Sequence, residues 1–316
     1  MADHAGHEST TAVLAALAAN LGIAVAKLIG FGITGSASML AESIHSVADS
    51  GNQGLLLLGG SRAQRAPDEH HPFGYGRERY FWAFVVALVL FSLGGAFALL
   101  EGVDKVRHPH HLDSPVVAIG ILLLAMVLEG TSFRTAVGQA RGLRGDASWW
   151  QFIRRSKNPE LPVVLLEDFG ALIGLAFALV GVVLARTTHD PRWDGVGSLA
   201  IGTVLCALAI VLAIEMKSLL VGESASKAVR DAIGHALTSD HDVERLIHLR
   251  TEHLGPDELL VGAKLSFRGD LSIAELAETI DRVEAHVRAV VPEACLLYIE
   301  PDVYRPDDAD EPDRTM

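Results

Sequence analysis

Four side chains with metal-ligand or proton chemistry, Glu42, His45, Asp49 and Asn52, fall inside Ala37 to Gly60, an otherwise apolar stretch of this 316-residue chain. At 3.6 residues per turn these positions share one helical stripe, and His45 and Asp49 stand one turn apart. An imidazole and a carboxylate facing the same way can ligate a divalent cation. A carboxylate at bilayer depth costs at least about 2.5 kcal/mol and marks an ion pathway. A stripe that merely bonds neighbouring helices could be built from one amide, without an ionisable pair. The partner stretch is PVVLLEDFGALIGLAFALVG, in which Glu167 and Asp168 are adjacent charges in an apolar span. Neighbours in a helix point about 100° apart, so the two cannot face one site equally well. Asp168 is assigned to the pathway, with Glu167 either supporting it from behind or ligating from the flank. Asp49 and Asp168 lie roughly 18 and 9 Å deep from opposite faces, so packed, tilted helices bring them together.

Weaker signals surround this pair. Asn20 sits near the middle of the first apolar segment, where it either lines the pathway or bonds a neighbouring helix. The loop RAPDEHHPFGYGRERYFW carries Asp68, Glu69, His70 and His71, a composition suited to capturing a cation at a channel mouth and equally to a solvated loop. His108, His110 and His111, among prolines and without helical spacing, read as surface histidines.

The elements that must position these residues follow from composition. Half of the chain is hydrophobic, which requires a membrane part plus a water-facing part. Six apolar segments can span the hydrocarbon: 11–31, 37–60, 81–100, 115–128 with a helical continuation to 138, 162–185 and 196–214. Ten Arg and Lys residues flank the second, third, fourth and fifth segments on one side, against Lys105, Arg107, Arg186 and Arg192 on the other. That bias places both termini in the cytoplasm. The opening residues MADHAGHESTT have no basic region and read as a short cytoplasmic tail before a retained helix, not as a cleaved signal peptide. Trp149 and Trp150 with Arg154 and Arg155 read as a membrane-surface segment.

From Gly222 onward there are 21 acidic and 10 basic residues, which accounts for most of the net charge of −13 and excludes nucleic acid as a partner. Cys206 and Cys295 stand in different parts of the chain and offer neither a disulfide framework nor a thiolate site. Residues 224–237 predict a helix, Ile247 and Leu249 open a strand, and Leu259, Val261, Ala263, Leu265 and Phe267 alternate as a half-buried strand. Ser272 and Glu275 form a capping box before a helix with apolar Ile273, Leu276, Ile280, Val283, Val287 and Val290, and residues 295–299 close an αββαβ unit. The reading is an N-terminal tail (1–10), a six-helix transmembrane domain (11–221), a cytoplasmic α+β dimerisation domain (222–303) and an acidic disordered tail (304–316). A domain of about 80 residues is marginal alone, which favours a homodimer.

With SASMLAESIHSVADSGNQ, HPFGYGRERY, LLEDFG and LLVGES in order along it, the chain resembles the cation diffusion facilitators, and within them the zinc transporter nine branch. The resemblance implies six transmembrane α-helices, a cytoplasmic ferredoxin-like αββαβ domain and a four-ligand transport site, two residues from the second helix and two from the fifth. His45 and Asp49 match the first pair and Asp168 one of the second, but Val164 stands where the fourth ligand should be, leaving that place to Glu167, Glu42, Asn20 or water. In the loop, Asp68 and His71 match an accessory site, while Tyr75 replaces an imidazole. Ile247, Lys264 and Tyr298 replace the metal-binding histidines of the cytoplasmic domain, and His248, His253 and His286 fall elsewhere.

The implied function is divalent metal export, with Zn²⁺ as leading substrate and Fe²⁺, Co²⁺ or Mn²⁺ as alternatives, by proton antiport and alternating access. The implied partners are metal ions, protons, the lipid bilayer and a second copy of the chain, with no cofactor and no catalysis. An intramembrane metalloenzyme is the competing class, opposed by the absence of H-E-x-x-H, and a transport-inactive regulatory partner is the reading that Val164 motivates. Compact loops and the lack of a transit signal suggest a bacterial inner membrane.

Overall fold

The computed structural model describes residues 17–18, 20–26, 28–29, 32, 37–109, 115–293 and 296–305, with side chains at all of them except 37–45, 48 and 49. Two compact units divide it, Met1–Leu220 and Val221–Met316. In the first, helical residues 20–26 (α1) precede α2 (Ala37–Ala63), α3 (Glu78–Val89), a π-helical stretch (Leu90–Ala96), α4 (Phe97–Arg107), α5 (Pro115–Arg144), the short α6 (Trp149–Arg155), α7 (Glu160–Thr188) and α8 (Arg192–Val221).

Among the described residues four helices are long and apolar enough to cross a membrane: Glu78–Arg107, Pro115–Arg144, Glu160–Thr188 and Arg192–Val221. Each reaches about 45 Å, well beyond a hydrocarbon core of about 30 Å. They overrun the apolar segments read from sequence by up to about four turns at an end, because backbone groups near the headgroups still need intrahelical partners. The fourth segment continues as helix past the expected residue 138 to Arg144. The 27-residue α2 is long enough as well, but its centre carries the polar residues described above.

Glycine seams set how closely these helices approach. A Cβ on Gly202 of α8 would lie 2.7 Å from Leu99 N and 2.9 Å from Gly95 O, and one on Gly102 would lie 2.7 Å from Leu199 N. Gly95 and Gly195 meet Cys206 and Val106 as closely, so residues seven apart on both helices make one backbone-to-backbone seam. Gly95 belongs to the π-helical stretch, and that local unwinding, unforeseen from the sequence, sits where the seam begins. On the other flank of α8, Gly197 approaches the Phe177 carbonyl of α7 and Gly181 the Trp193 carbonyl.

α6 has a complete capping box: Ser148 Oγ accepts from Gln151 N–H, and the Gln151 side chain accepts from Ser148 N–H. Phe152 is buried, while Trp149 and Trp150 are exposed beneath the Arg144 and Arg154 guanidinium groups at 4.8 and 6.0 Å. An apolar anchor with outward tryptophan and arginine suits the membrane surface.

The second unit runs α9 (Lys227–Leu237), β1 (Val243–Gly255), β2 (Glu258–Phe267), α10 (Ile273–Val290) and β3 (Leu296–Pro301). The sheet order is β1-β2-β3, β1 antiparallel and β3 parallel to β2. Leu259, Val261, Ala263 and Leu265 of β2 share one core with Ile233 and Leu237 of α9 and Val283 and Val287 of α10, so both helices cover the same face. The first helix starts at Lys227, behind its Ser226 cap, and β1 starts four residues before Ile247, on Val243. The capping box at Ser272 is present, but Ile273 is 88 % exposed and Val290 is exposed too: only the middle turns of α10 bury their stripe. Cys295 lies outside the described residues.

The seam makes a direct prediction. Gly202→Val forces a side chain into backbone and should lower the unfolding temperature of the detergent-solubilised protein, with a cost of about 1–3 kcal/mol or more. Gly120→Ala, where a Cβ meets nothing within 4 Å, should leave it unchanged.

Candidate functional site

α7 crosses two apolar clusters. Leu161 and Val163 to Leu166 pack with Tyr80, Val86, Ala140 and Leu212, and further along Leu175 and Val182 pack with Ile23, Leu122 and Ala125. Between them lies a layer of buried polar side chains: Asn20 of α1, Ser46, Asn52 and Gln53 of α2, Glu129 and Ser132 of α5, Glu167 and Asp168 of α7. Glu167 is 5 % and Asp168 1 % exposed. Carboxylates so placed are sustained only by donors that replace their water.

Those donors come from different helices. Glu167 Oε1 accepts from Asn52 Nδ2 at 2.9 Å and Oε2 from Gln53 Nε2 at 3.1 Å. Gln53 Oε1 in turn accepts from Asn20 Nδ2 at 3.2 Å. Asp168 Oδ2 accepts from Ser132 Oγ at 2.8 Å. The 100° between neighbouring residues is thus expressed in their partners, α2 for Glu167 and α5 for Asp168. It does not divide them between sites, because both line one cavity. The cavity measures about 60 Å³ and is also walled by Asn20, Ser46 and Glu129 among apolar residues such as Leu90 and Leu205. Space of that size holds about four water molecules or an ion with its ligands. Asn52 Oδ1 is buried without a hydrogen-bond partner among the described residues.

Asn20 therefore does both things its position allows, lining the cavity and bonding α2. The backbone of α2 includes Glu42, His45 and Asp49, whose side chains lie outside the described residues. Elsewhere on α2, Ser46 lines the cavity and Asn52 bonds Glu167 of α7. Val164 is fully buried within the apolar cluster. Four residues of the layer were not singled out by sequence reasoning: Ser46, Gln53, Glu129 and Ser132. Glu129 was visible as an acid interrupting an apolar span; Ser132 and Gln53 carried no signal beyond being polar.

The loop residues have other employment. Asp68 Oδ1 accepts the backbone N–H of His70 and His71 at 2.9 and 2.8 Å, and Oδ2 accepts the Tyr75 hydroxyl at 2.6 Å. These bonds, the tyrosine's first, hold the Asp68 carboxyl below the usual carboxylate range and push the Tyr75 hydroxyl up. His71 lies against the Tyr75 ring at 4.3 Å, with its Nδ1 3.5 Å from Asp68. Asp68 and His71 do come together, on an exposed turn whose carboxylate staples the loop. His108 is exposed beside Asp104 at 3.0 Å, whereas His110 and His111 lie outside the described residues.

In the second unit, Lys264 binds Glu300 at 3.2 Å and Asp302 at 3.1 Å, and Asp302 then Glu300 raise its pKa. His248 pairs with Lys264 across β1 and β2, His253 is buried in β1, and His286 meets Ser239 at 3.2 Å. Among the described residues the one group of three closely spaced metal-type ligands is Asp240, His241 and Asp242. The cations already there are guanidinium groups: Arg282 binds Asp240 at 2.9 Å and Asp242 at 3.0 Å, and Arg268 binds Asp242 at 3.2 Å. The group is a strut tying the α9–β1 turn to α10.

A multi-pass membrane protein with an acidic cavity inside its helix layer is the class this architecture defines. The chain belongs to the cation efflux family, the cation diffusion facilitators, whose transmembrane-domain model matches residues 13–221. It is similar to the mitochondrial proton-coupled zinc antiporter SLC30A9 of Xenopus laevis, 31% identical over 268 residues, covering 84% of this chain and 48% of that protein. It is 31% identical over 253 residues to metal tolerance protein C4 of Arabidopsis thaliana, covering 78% and 54% of the two chains. The cation-efflux pump FieF of Pectobacterium atrosepticum is 25% identical over 303 residues, 94% of either chain. The chain thus spans about half the length of the first two relatives.

The strut in the second unit predicts acid sensitivity. Arg282 holds the Asp240 pKa below its ordinary value, so the stabilisation is present above about pH 4 and is lost as pH falls through the lowered value. Circular dichroism of the full-length protein on acidification should show loss of sheet signal below about pH 4, and Asp240→Asn should weaken the domain at neutral pH and flatten that dependence.

Proposed function

We propose that this chain moves a divalent cation through the polar layer of its transmembrane unit, with Zn²⁺ as substrate exchanged for protons. The observation that carries the reading is the cavity on which Glu129, Glu167 and Asp168 converge between membrane-length helices. Imidazole and carboxylate donors suit a borderline divalent ion, and His45 and Asp49 of α2 with Asp168 of α7 supply three of them. Val164 cannot ligate, so the remaining place falls to a carboxylate at the cavity, Glu167 or Glu129, or to water. Binding requires neutral His45 and ionised carboxylates, so loading releases protons, and protons arriving from the opposite side expel the metal. Rearrangement of α2 and α7 exposes the cavity to each side in turn.

The relative named a proton-coupled zinc antiporter supports both the ion and the exchange, while the name cation-efflux pump keeps Fe²⁺, Co²⁺ and Mn²⁺ as alternatives. In the same reading, α1 and α2 complete six spans, both termini are cytoplasmic, the second unit is ferredoxin-like and joins two copies into a homodimer, and the membrane is a bacterial inner membrane.

Proteoliposomes with a pH gradient test this. Zn²⁺ uptake should move protons the other way, and Asp168→Asn or Asp49→Ala should slow it roughly 100-fold, the equivalent of about 2.8 kcal/mol of lost ligation. Ser132→Ala, which only orients Asp168, should cost about tenfold. Mn²⁺ moving far faster than Zn²⁺ would overturn the choice of ion, and Zn²⁺ binding without flux would mark a regulatory partner instead of a carrier.

A further inference from the structure

Glu167 stands beside a proposed ligand and lines the same cavity, yet its hydrogen bonds define a different task. Both of its oxygens receive amide N–H groups, from two consecutive residues of α2. The longer glutamate side chain reaches across to that helix, whereas Asp168 is met by Ser132 of α5. The carboxylate also fixes the direction of the whole chain of bonds. It can only accept, so Gln53 must present its NH₂ to Glu167 and its carbonyl oxygen to Asn20, and Asn20 must donate. A single acceptor on α7 thereby orients three amides on α1 and α2 and ties those helices to α7 one residue before Asp168.

We propose that Glu167 is a positioning residue: an amide latch to Asn52, Gln53 and Asn20 that sets the rotation of α7 and so the aim of Asp168, without itself ligating the ion. The inference rests on the transport reading for what Asp168 does, but the latch is defined by bonds that need no ion. Gln53→Glu sets a second carboxylate against Glu167, a clash that no amide flip relieves, and breaks the chain. Exchanging the two residues, Gln53→Glu with Glu167→Gln, restores every bond. Glu at 53 accepts from Asn20 and from the amide now at 167, whose carbonyl oxygen accepts from Asn52.

The test measures full-length protein in detergent, wild type against Gln53→Glu and the exchanged double variant. The readouts are the metal-free unfolding midpoint, the Zn²⁺ dissociation constant by calorimetry and the visible spectrum with Co²⁺. The single variant should lower the midpoint and weaken Zn²⁺ binding by about 10- to 100-fold, as loss of an orienting contact does. The exchanged variant should recover the midpoint, bind Zn²⁺ within about threefold of wild type and give the wild-type Co²⁺ spectrum, a coupling that only direct partners show. If the midpoint recovers while binding stays weak or the Co²⁺ spectrum stays altered, Glu167 is a ligand and the proposal fails. A single variant that binds like wild type, or an exchange that does not recover the midpoint, also overturns it. Should the wild type bind no Zn²⁺, the transport reading falls, and the three midpoints still decide the latch.

Discussion

Two adjacent carboxylates held inside a bilayer-length helix are the constraint to which the transmembrane unit answers. Removing a carboxylate from water is affordable only where fixed donors replace its hydration. Glu167 and Asp168 obtain those donors from α2 and α5 respectively, and the α2 donor Gln53 is braced by Asn20 of α1. Four helices are therefore specified relative to one another by hydrogen bonds at a single level. In hydrocarbon, where apolar side chains gain little by choosing one another over lipid, such bonds and close backbone packing decide which helix faces which.

The apolar clusters on either side of that layer have a second consequence. They flank the cavity along α7, from Leu161 to Leu166 on one side and around Leu175 and Val182 on the other. An electrostatic interaction in so small a space walled largely by apolar groups is screened less than one in water. The glycine seam is a contact of a different kind. α8 meets α4 and the π-helical stretch backbone to backbone over Gly95, Gly102, Gly195 and Gly202, where any slide puts backbone into backbone. The α2–α7 contact at the cavity is made by side-chain amides, whose hydrogen bonds can be exchanged at modest cost. Backbone seam and side-chain amide bonds are thus the two kinds of contact that fix these helices relative to one another.

How much of this the sequence discloses depends on the length scale of the signal. Helix spans, the alternation in β2 and the Ser272 capping box are local patterns: four of the six spans, the strand and the box have their counterparts among the described residues. Glu167 and Asp168 stood out because an acid in an apolar span is anomalous whatever surrounds it. Ser132 and Gln53 did not, because a serine or glutamine in a helix acquires its meaning only from a partner 36 or 114 residues away. The π-helical stretch was equally hidden: it coincides with the close approach of α8 at Gly95, a tertiary contact that no local periodicity encodes. The 100° between Glu167 and Asp168 gives them different partner helices, and both still line one cavity. A cavity bounded by several helices subtends a wide enough angle to receive both.

Side-chain length supplies the reason for the order Glu then Asp. The glutamate has one more methylene, and it is the residue that spans to α2 and meets two amides there. The aspartate is shorter and stays near the α7 axis, where a serine hydroxyl on α5 reaches it. Reversing the order would leave the shorter acid short of the amides and push the longer one into the cavity. The dipeptide is therefore asymmetric in its partners although symmetric in charge, with Glu167 tied to α2 and Asp168 to α5 at one cavity.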